Sequence, residues 1–352
     1  MNRRDFLLPH LLTQGAGNLL EAQGASRFDT NQSSSPEIAL VRSSRRAMAT
    51  LFEVLLPYGA PEAAAAAQVA LDVVDQVEEQ LSVYRDTSEV SRINRLAARE
   101  AVSIDADLFS LLEDAARITR ATQGGFDITS GPLIKAWGFY ARSGRLPSAQ
   151  ERVRAHDLVG MRHVVLNAHE RTVRYSKEGV EINLGSIGKG YALDRAAAAL
   201  NEQWGLQAAL LHGGHSSVHA LGAPLQDGRG WPVGIRHPWD PARRLAIIRL
   251  CDQGMATSAA TFQHLEWEGR KLGHILDPRT GWPAEGMASV SVVAPTAAEA
   301  DALATAFFVL GLEAARDFCA SRSDVGAVIL EDGSGKLPVI LGLGPDVVTL
   351  LR

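Results

Sequence analysis

The chain has 352 residues, 46% of them hydrophobic, and a formal net charge of −5. That is enough apolar material for one large domain or two ordinary ones. The acidic balance and the lack of a long basic run exclude nucleic acid as the main partner. Two cysteines without CxxC spacing, Cys251 and Cys319, exclude a cysteine zinc site and a disulfide framework, and both are expected as free, largely buried thiols.

In chain order, Arg3-Arg4-Asp5-Phe6-Leu7 resembles a twin-arginine export signal, although Leu7 to Leu20 is only patchily apolar. Gly24 to Glu37, rich in Ser, Asn and Gln, reads as a disordered linker. Residues 1–37 are therefore expected as signal and linker and 38–352 as the folded domain. The expected location is exported and periplasmic, or cytoplasmic if the signal is not read. No later apolar run reaches the roughly 18 residues of a membrane span.

Ala47 to Leu55 reads as a strand, and Val69, Val73, Val77 and Leu81 recur at helical spacing after Pro61. Leu81 to Val90 then leaves the helix with one aromatic, Tyr84, and several polar groups, a composition suited to a pocket wall or to a plain capped loop. A helix is expected from Ala106 to Thr122, ended by Gly124-Gly125, with Leu108, Leu111, Leu112, Ala115 and Ile118 on one face. The aromatics Phe126, Trp137 and Phe139 lie among glycines and are suited either to stacking on a flat ring or to a core. Val164–Leu166 and Thr172–Tyr175 form an expected hairpin, and Glu181 to Leu184 an expected strand.

That strand enters Gly185-Ser186-Ile187-Gly188-Lys189-Gly190, and a helix continues to Trp204. A glycine-rich turn opening a helix offers backbone amides and a positive dipole end to an anion, and Lys189 adds a full charge. It is not a Walker A loop, because the glycine spacing is wrong and Gly190 follows the lysine. His212, His215 and His219 follow a strand into a glycine turn without an adjacent acid, and are expected as solvated or core histidines rather than metal ligands. Strands are expected at Trp231–Arg236, Arg244–Cys251 and Ala288–Val293.

Between them, Gly273 to Pro283 joins Asp277-Pro278 to Thr280-Gly281 in a forced turn and leaves His274 and Asp277 near one mouth. A histidine with a carboxylate to orient it suits proton transfer beside a charged ligand; a capped turn with a solvated histidine is the alternative. Thr296 and Glu299 form a capping box that opens a helix through Leu310. On it Asp301 and Thr305 project from one face, oxygen ligands at a spacing that fits Mg²⁺ or Ca²⁺. The alternative is that Asp301 complements the helix dipole while Thr305 bonds back to a carbonyl. A further helix is expected from Leu312 to Ser321.

The collinear segments Met48–Thr50, Ser82–Glu89, Gly125–Gly138, Leu184–Asp194, Gly213-Gly214, His274–Pro283 and Asp301–Gly311 resemble the FAD:protein FMN transferase family, also called the ApbE family, over residues 45–345. The resemblance implies an α+β fold of mixed sheets with packed helices around a central FAD cleft. It implies an enzyme that takes FAD and Mg²⁺ and attaches FMN to a Thr or Ser of an acceptor protein, a subunit of a membrane redox complex being one such acceptor, with release of AMP. By motif match, Asp301, Thr305 and the Ser186 carbonyl stand as Mg²⁺ ligands and His274 as the catalytic base. Met48, Tyr84, Gly125, Phe126, Asp127, Asn183, Lys189, His274 and Ile275 stand as the flavin-nucleotide pocket. Three positions depart from the family pattern: Asn183 replaces an aspartate, His215 an acidic residue and Ala259 a glycine. The same pocket also serves an FAD-binding or flavin-storage protein without transfer, or an FAD pyrophosphatase that yields FMN and AMP.

Overall fold

The structure is a computed structural model; it describes residues 39–351 except 142–143, 226–227, 241, 260–263, 268–269 and 334. The arginine pair at 3–4 and the linker expected at 24–37 lie outside the described residues.

Eight strands form one sheet whose spatial order repeats the chain order, each antiparallel to the next. They are β1 Leu40–Ala47, β2 Thr50–Pro57, β3 Ala209–Gly213, β4 Ser217–Leu221, β5 Gln253–Ala259, β6 Met287–Ala294, β7 Gly326–Glu331 and β8 Val339–Leu341. The helices are α1 Ala63–Leu81, α2 Glu89–Leu96, α3 Ala106–Ala121, α4 Gly131–Ala136, α5 Ala149–His156, α6 Gly188–Trp204, α7 Ala297–Leu310 and α8 Leu312–Ser321. The result is an α+β architecture with smaller sheets beside the main one.

All eight residues of β6 are buried, which requires cover on both faces. One face meets the helical layer, where Val290, Val292 and Ala294 join Leu193, Ala197, Leu303 and Phe307 in the main core. On the other face, Val293 packs with Val218 and Val328 against Trp231, Ile235 and Ile248 of a three-stranded sheet. A third, separate cluster joins Leu133 and Trp137 to Leu272 and Leu276. The edge strand β1 is mostly exposed and carries Arg42, Arg45 and Arg46. Charge on an edge opposes pairing with another chain, and Arg45 also reaches Asp72 and Asp75 of α1 at 2.5 and 2.7 Å.

Several expectations are corrected. The strand expected over Ala47–Leu55 is interrupted by a two-residue turn at Met48 and Ala49, with φ of 47° and 59°. Two consecutive left-handed residues give the turn whose twist suits a tight hairpin, and eight register pairs between β1 and β2 hold it. The buried stripe of α1 runs through Ala66, Ala70, Leu71, Val74, Val77 and Leu81, so Val69 and Val73 lie at its margin. The loop expected up to Val90 gives way to α2, which Ser88 caps by accepting from the Ser91 amide.

Glu181–Leu184 forms no strand and pairs with none among the described residues. The Asn94 carboxamide takes the ladder's place, donating to the Ile182 carbonyl at 2.9 Å and accepting its amide at 2.8 Å. The expected capping box is half formed: Thr296 accepts from the Glu299 amide, while the Glu299 carboxylate goes to Arg322 and Arg117. Cys319 is buried as expected, but Cys251 is exposed. Helices α3 and α8 and the Val164–Asn167/Thr172–Tyr175 hairpin form where the sequence places them. No helix among the described residues is long and apolar enough to cross a membrane.

Candidate functional site

Strand register decides what meets at one end of the sheet. Phe52 opposes Gly213, Ser217 opposes Ala256 and Ala259 opposes Ser289. The Met48–Ala49 turn, the Gly214–Ser216 turn and the last residues of β5 therefore lie at the same end. The excursion between β5 and β6, which carries His274, leaves and returns there. Gly214 fits against this end only as glycine: its φ is +67° and a Cβ would lie 2.4 Å from Thr50 Oγ1.

Asp301, on α7, is buried beneath this end. Its Oδ2 accepts the Gly190 amide at 2.7 Å, and its Oδ1 accepts the Ser217 hydroxyl at 2.7 Å. Lys189 Nζ lies 3.7 Å from Oδ2. The glycine-rich turn is thus used in a way its spacing does not reveal. Gly190 is small because α6 crosses α7 there, and a Cβ would lie 2.0 Å from the Ala297 carbonyl oxygen. Its amide, one of the four that open a helix without an internal partner, serves Asp301.

The carboxyl of Asp301 is raised from its ordinary pKa by burial, against the lowering effects of Lys189, Ser217 and the Gly190 amide. Desolvation wins over three favourable neighbours, so the site remains short of positive charge. One turn along, Thr305 Oγ1 donates to the Asp301 carbonyl at 3.2 Å and lies 3.4 Å from Ser258 Oγ on β5. That back-bond uses the Thr305 hydroxyl hydrogen and leaves lone pairs on its oxygen. Ser186, half-buried, lies in the turn just before α6.

The segment 181–190 links this cluster to a cleft of about 290 Å³ lined by Val83, Asn94, Lys135, Tyr140, Glu181 and Asn183, among others. Tyr84 is exposed beside it, its ring 4.6 Å from that of Tyr140, and the Tyr140 hydroxyl donates to the Val83 carbonyl at 2.6 Å. Asn183 accepts the Gly185 amide at 2.9 Å, bracing the turn that leads to Lys189. Met48 and Ile275 are partly buried against the main core.

Other expected residues face inward. Phe126 and Asp127 are buried, and Asp127 accepts from Thr129 and from the Met161 amide. Gly125 lies against Leu310 at the end of α7, with 2.6 Å from a built Cβ to Leu310 Cγ. Trp137 is fully buried, and its Nε1 donates to the Gly281 carbonyl at 3.0 Å. Asp277 accepts from Arg279 through Nε and Nη2, each at 2.9 Å. His274 itself is half-buried, on a segment anchored by Leu272 and Leu276 in the third core.

Three polar residues at the site escape sequence reasoning. Ser217 and Ser258 are unremarked serines on strands. Asp194, on α6, accepts the Ala297 and Ala298 amides at 2.8 and 2.9 Å and pairs with His219 Nδ1 at 2.6 Å. Their partners are distant in the chain, so no local pattern marks them. Among the described residues, no group of three His, Cys, Asp or Glu is placed to hold a metal.

The model of the ApbE family matches residues 48–329. The chain belongs to the ApbE family. The FAD:protein FMN transferase of Haemophilus influenzae is 30% identical over 271 residues, 75% of this chain and 78% of that protein. The one from Treponema pallidum is 33% identical, covering 72% of this chain and 74% of its own. Among solved structures, the ApbE protein of Thermotoga maritima superposes with a TM-score of 0.76 at 28% identity, covering 86% of this chain and 97% of the other. The flavinyl transferase ApbE of Pseudomonas stutzeri gives 0.75 at 27% identity, with coverage of 87% and 98%. With this ApbE membership comes the enzyme class: the chain is a transferase.

Proposed function

We propose that this chain transfers FMN from FAD to a Thr or Ser hydroxyl of an acceptor protein, with Mg²⁺ as the required ion and AMP as the product released. The observation that carries the reading is the meeting of Lys189 with buried Asp301, from segments more than a hundred residues apart, in a member of the ApbE family.

The residues present fit a hard divalent cation. The donors are all oxygens, from the Asp301 carboxylate, Thr305 Oγ1 and the Ser186 carbonyl, and the one carboxylate is under-compensated where it stands. Bound there, Mg²⁺ would offset the charge of the FAD pyrophosphate. Lys189, a quarter exposed, reaches the same place from the solvent side and serves the same anion.

Tyr84 and Tyr140 offer a wall for a flat ring, and Asn183 a neutral polar edge. The buried Phe126 and Asp127 side chains shape the loop from within, so contact with nucleotide there falls to its backbone. The acceptor hydroxyl oxygen bonds to the phosphorus of the FMN half as the bond from that phosphorus to the bridging oxygen breaks, and the bridging oxygen departs with AMP. His274 takes the hydroxyl proton. Positioning and charge stabilisation supply most of the acceleration, as in phosphoryl transfer generally.

Incubation with FAD, Mg²⁺ and a candidate acceptor, followed by intact-mass measurement, tests the reading. An FMN mass on the acceptor supports transfer. Free FMN with AMP points instead to a pyrophosphatase, and unchanged FAD to binding alone.

A further inference from the structure

Helices α6 and α7 cap one another. The residue before α6 gives its helix no side-chain cap, and Asp301 of α7 fills that place through the Gly190 amide. In return Asp194 of α6 accepts the first two amides of α7, while Thr296 accepts the third. The start of α7 is wedged as well: a Cβ on Gly254 would lie 2.2 Å from the Ala297 nitrogen, and one on Gly190 would lie 2.0 Å from its carbonyl oxygen. Asp194 is itself held by His219 from β4, with both side chains under one-fifth exposed.

We propose that Asp194, backed by His219, is a positioning residue that fixes where Asp301 stands relative to Lys189. This rests on the reading of Asp301 as a metal ligand. Asp194 lies one turn along α6 from Gly190, and Ala297 lies one turn before Asp301 on α7. The two carboxylates thus close a four-point clasp with an arm at each crossing. A slide of α7 by one residue's rise, about 1.5 Å, would lengthen the 2.7 Å bond from Gly190 to Asp301 Oδ2. Asp194 touches neither nucleotide nor ion in this account; it acts through the placement of α7.

The test uses the full chain with FAD and Mn²⁺, the free-ion paramagnetic signal reporting binding and thermal melting reporting the fold. Asp194→Ala should weaken Mn²⁺ binding by about 10- to 100-fold, the range found when groups that orient metal ligands are removed. Asp194→Asn, which keeps one acceptor oxygen, should fall between it and the parent chain, and serves if the alanine variant does not fold. At saturating metal kcat should recover, a split that a generally loosened fold would not give. Unchanged Mn²⁺ affinity in both variants overturns the proposal, whatever the melting temperatures do. If Asp301→Asn abolishes binding in that case, the metal reading stands without it; if Asp301→Asn also binds normally, both fall together.

Discussion

The Asp301 carboxyl is raised above the ordinary 3.8 because burial outweighs Lys189, Ser217 and the Gly190 amide, so the folded chain holds this proton more tightly than the unfolded chain does. For an acid raised on folding, the stabilising contribution is complete below 3.8 and is lost as pH rises through the folded-state value. The metal-free protein should therefore lose stability over that interval, and Asp301→Asn should flatten the loss in melts taken as a function of pH. The same variant should give no rise in melting temperature with Mg²⁺, and its FMN transfer should collapse, with partial recovery at high Mg²⁺. A wild-type transfer rate at low Mg²⁺ would remove Asp301 from the role. His274→Ala should keep FAD binding, followed by flavin fluorescence, and lose about 10²- to 10⁴-fold in transfer rate, the usual contribution of a general base. Full activity in that variant would assign the proton to another group.

Among the elements, the α6–α7 crossing and the β1–β2 turn respond in opposite directions to one methyl group. Gly190→Ala places a Cβ 2.0 Å from backbone that cannot rotate away. It should cost at least the roughly 1–3 kcal/mol of an overpacked core, with Mg²⁺ binding lost alongside stability in denaturant titrations. Ala49→Gly relieves a left-handed φ of 59°, a strain worth of order 1–3 kcal/mol, less the extra chain entropy glycine brings to the unfolded state. A net gain of up to about 1 kcal/mol in the same titrations is expected from that balance; a loss would mean that the turn is not strained.

These elements also separate what the sequence makes legible from what it does not. Helix α3 was readable because its apolar spacing and its Gly124-Gly125 stop both act locally, and the Asp301–Thr305 face because i, i+4 is local too. The Met48–Ala49 turn left no mark, since neither residue is one that turn normally requires. Glu181–Leu184 has a strand's composition, yet its backbone is satisfied by Asn94, a side chain far away in sequence. Asp194 and Ser217 matter only through the partners that folding brings to them.

For the whole molecule, motifs far apart in the chain meet at one end of the sheet because consecutive strands carry them there. The partner that the reading of the Gly273–Pro283 turn leaves out is Arg279, two residues from Asp277 and of opposite charge, which pairs with its carboxylate. The export reading is a prediction at this scale, resting on Arg3-Arg4-Asp5-Phe6-Leu7. Replacing both arginines with lysine should retain the protein in the cytoplasm, and unchanged fractionation would refute it.

The agreement between strand order and chain order has a consequence for how the molecule is made. Every strand lies beside its predecessor, but between β2 and β3 the chain runs through residues 58–208, including six of its helices. Lengthening a loop costs little in closure entropy, about 0.6 kcal/mol per doubling, yet non-local pairing slows folding. During synthesis the β1–β2 hairpin is followed at once by α1, which Arg45 bridges, but it has no further strand to pair with until Ala209–Gly213 follows. Two strands and one helix then stand without the rest of the sheet, and a two-stranded hairpin is marginally stable at best by itself. The arginine-studded β1 edge opposes pairing with other copies of the chain throughout that interval, whereas the β2 edge stays open until β3 covers it.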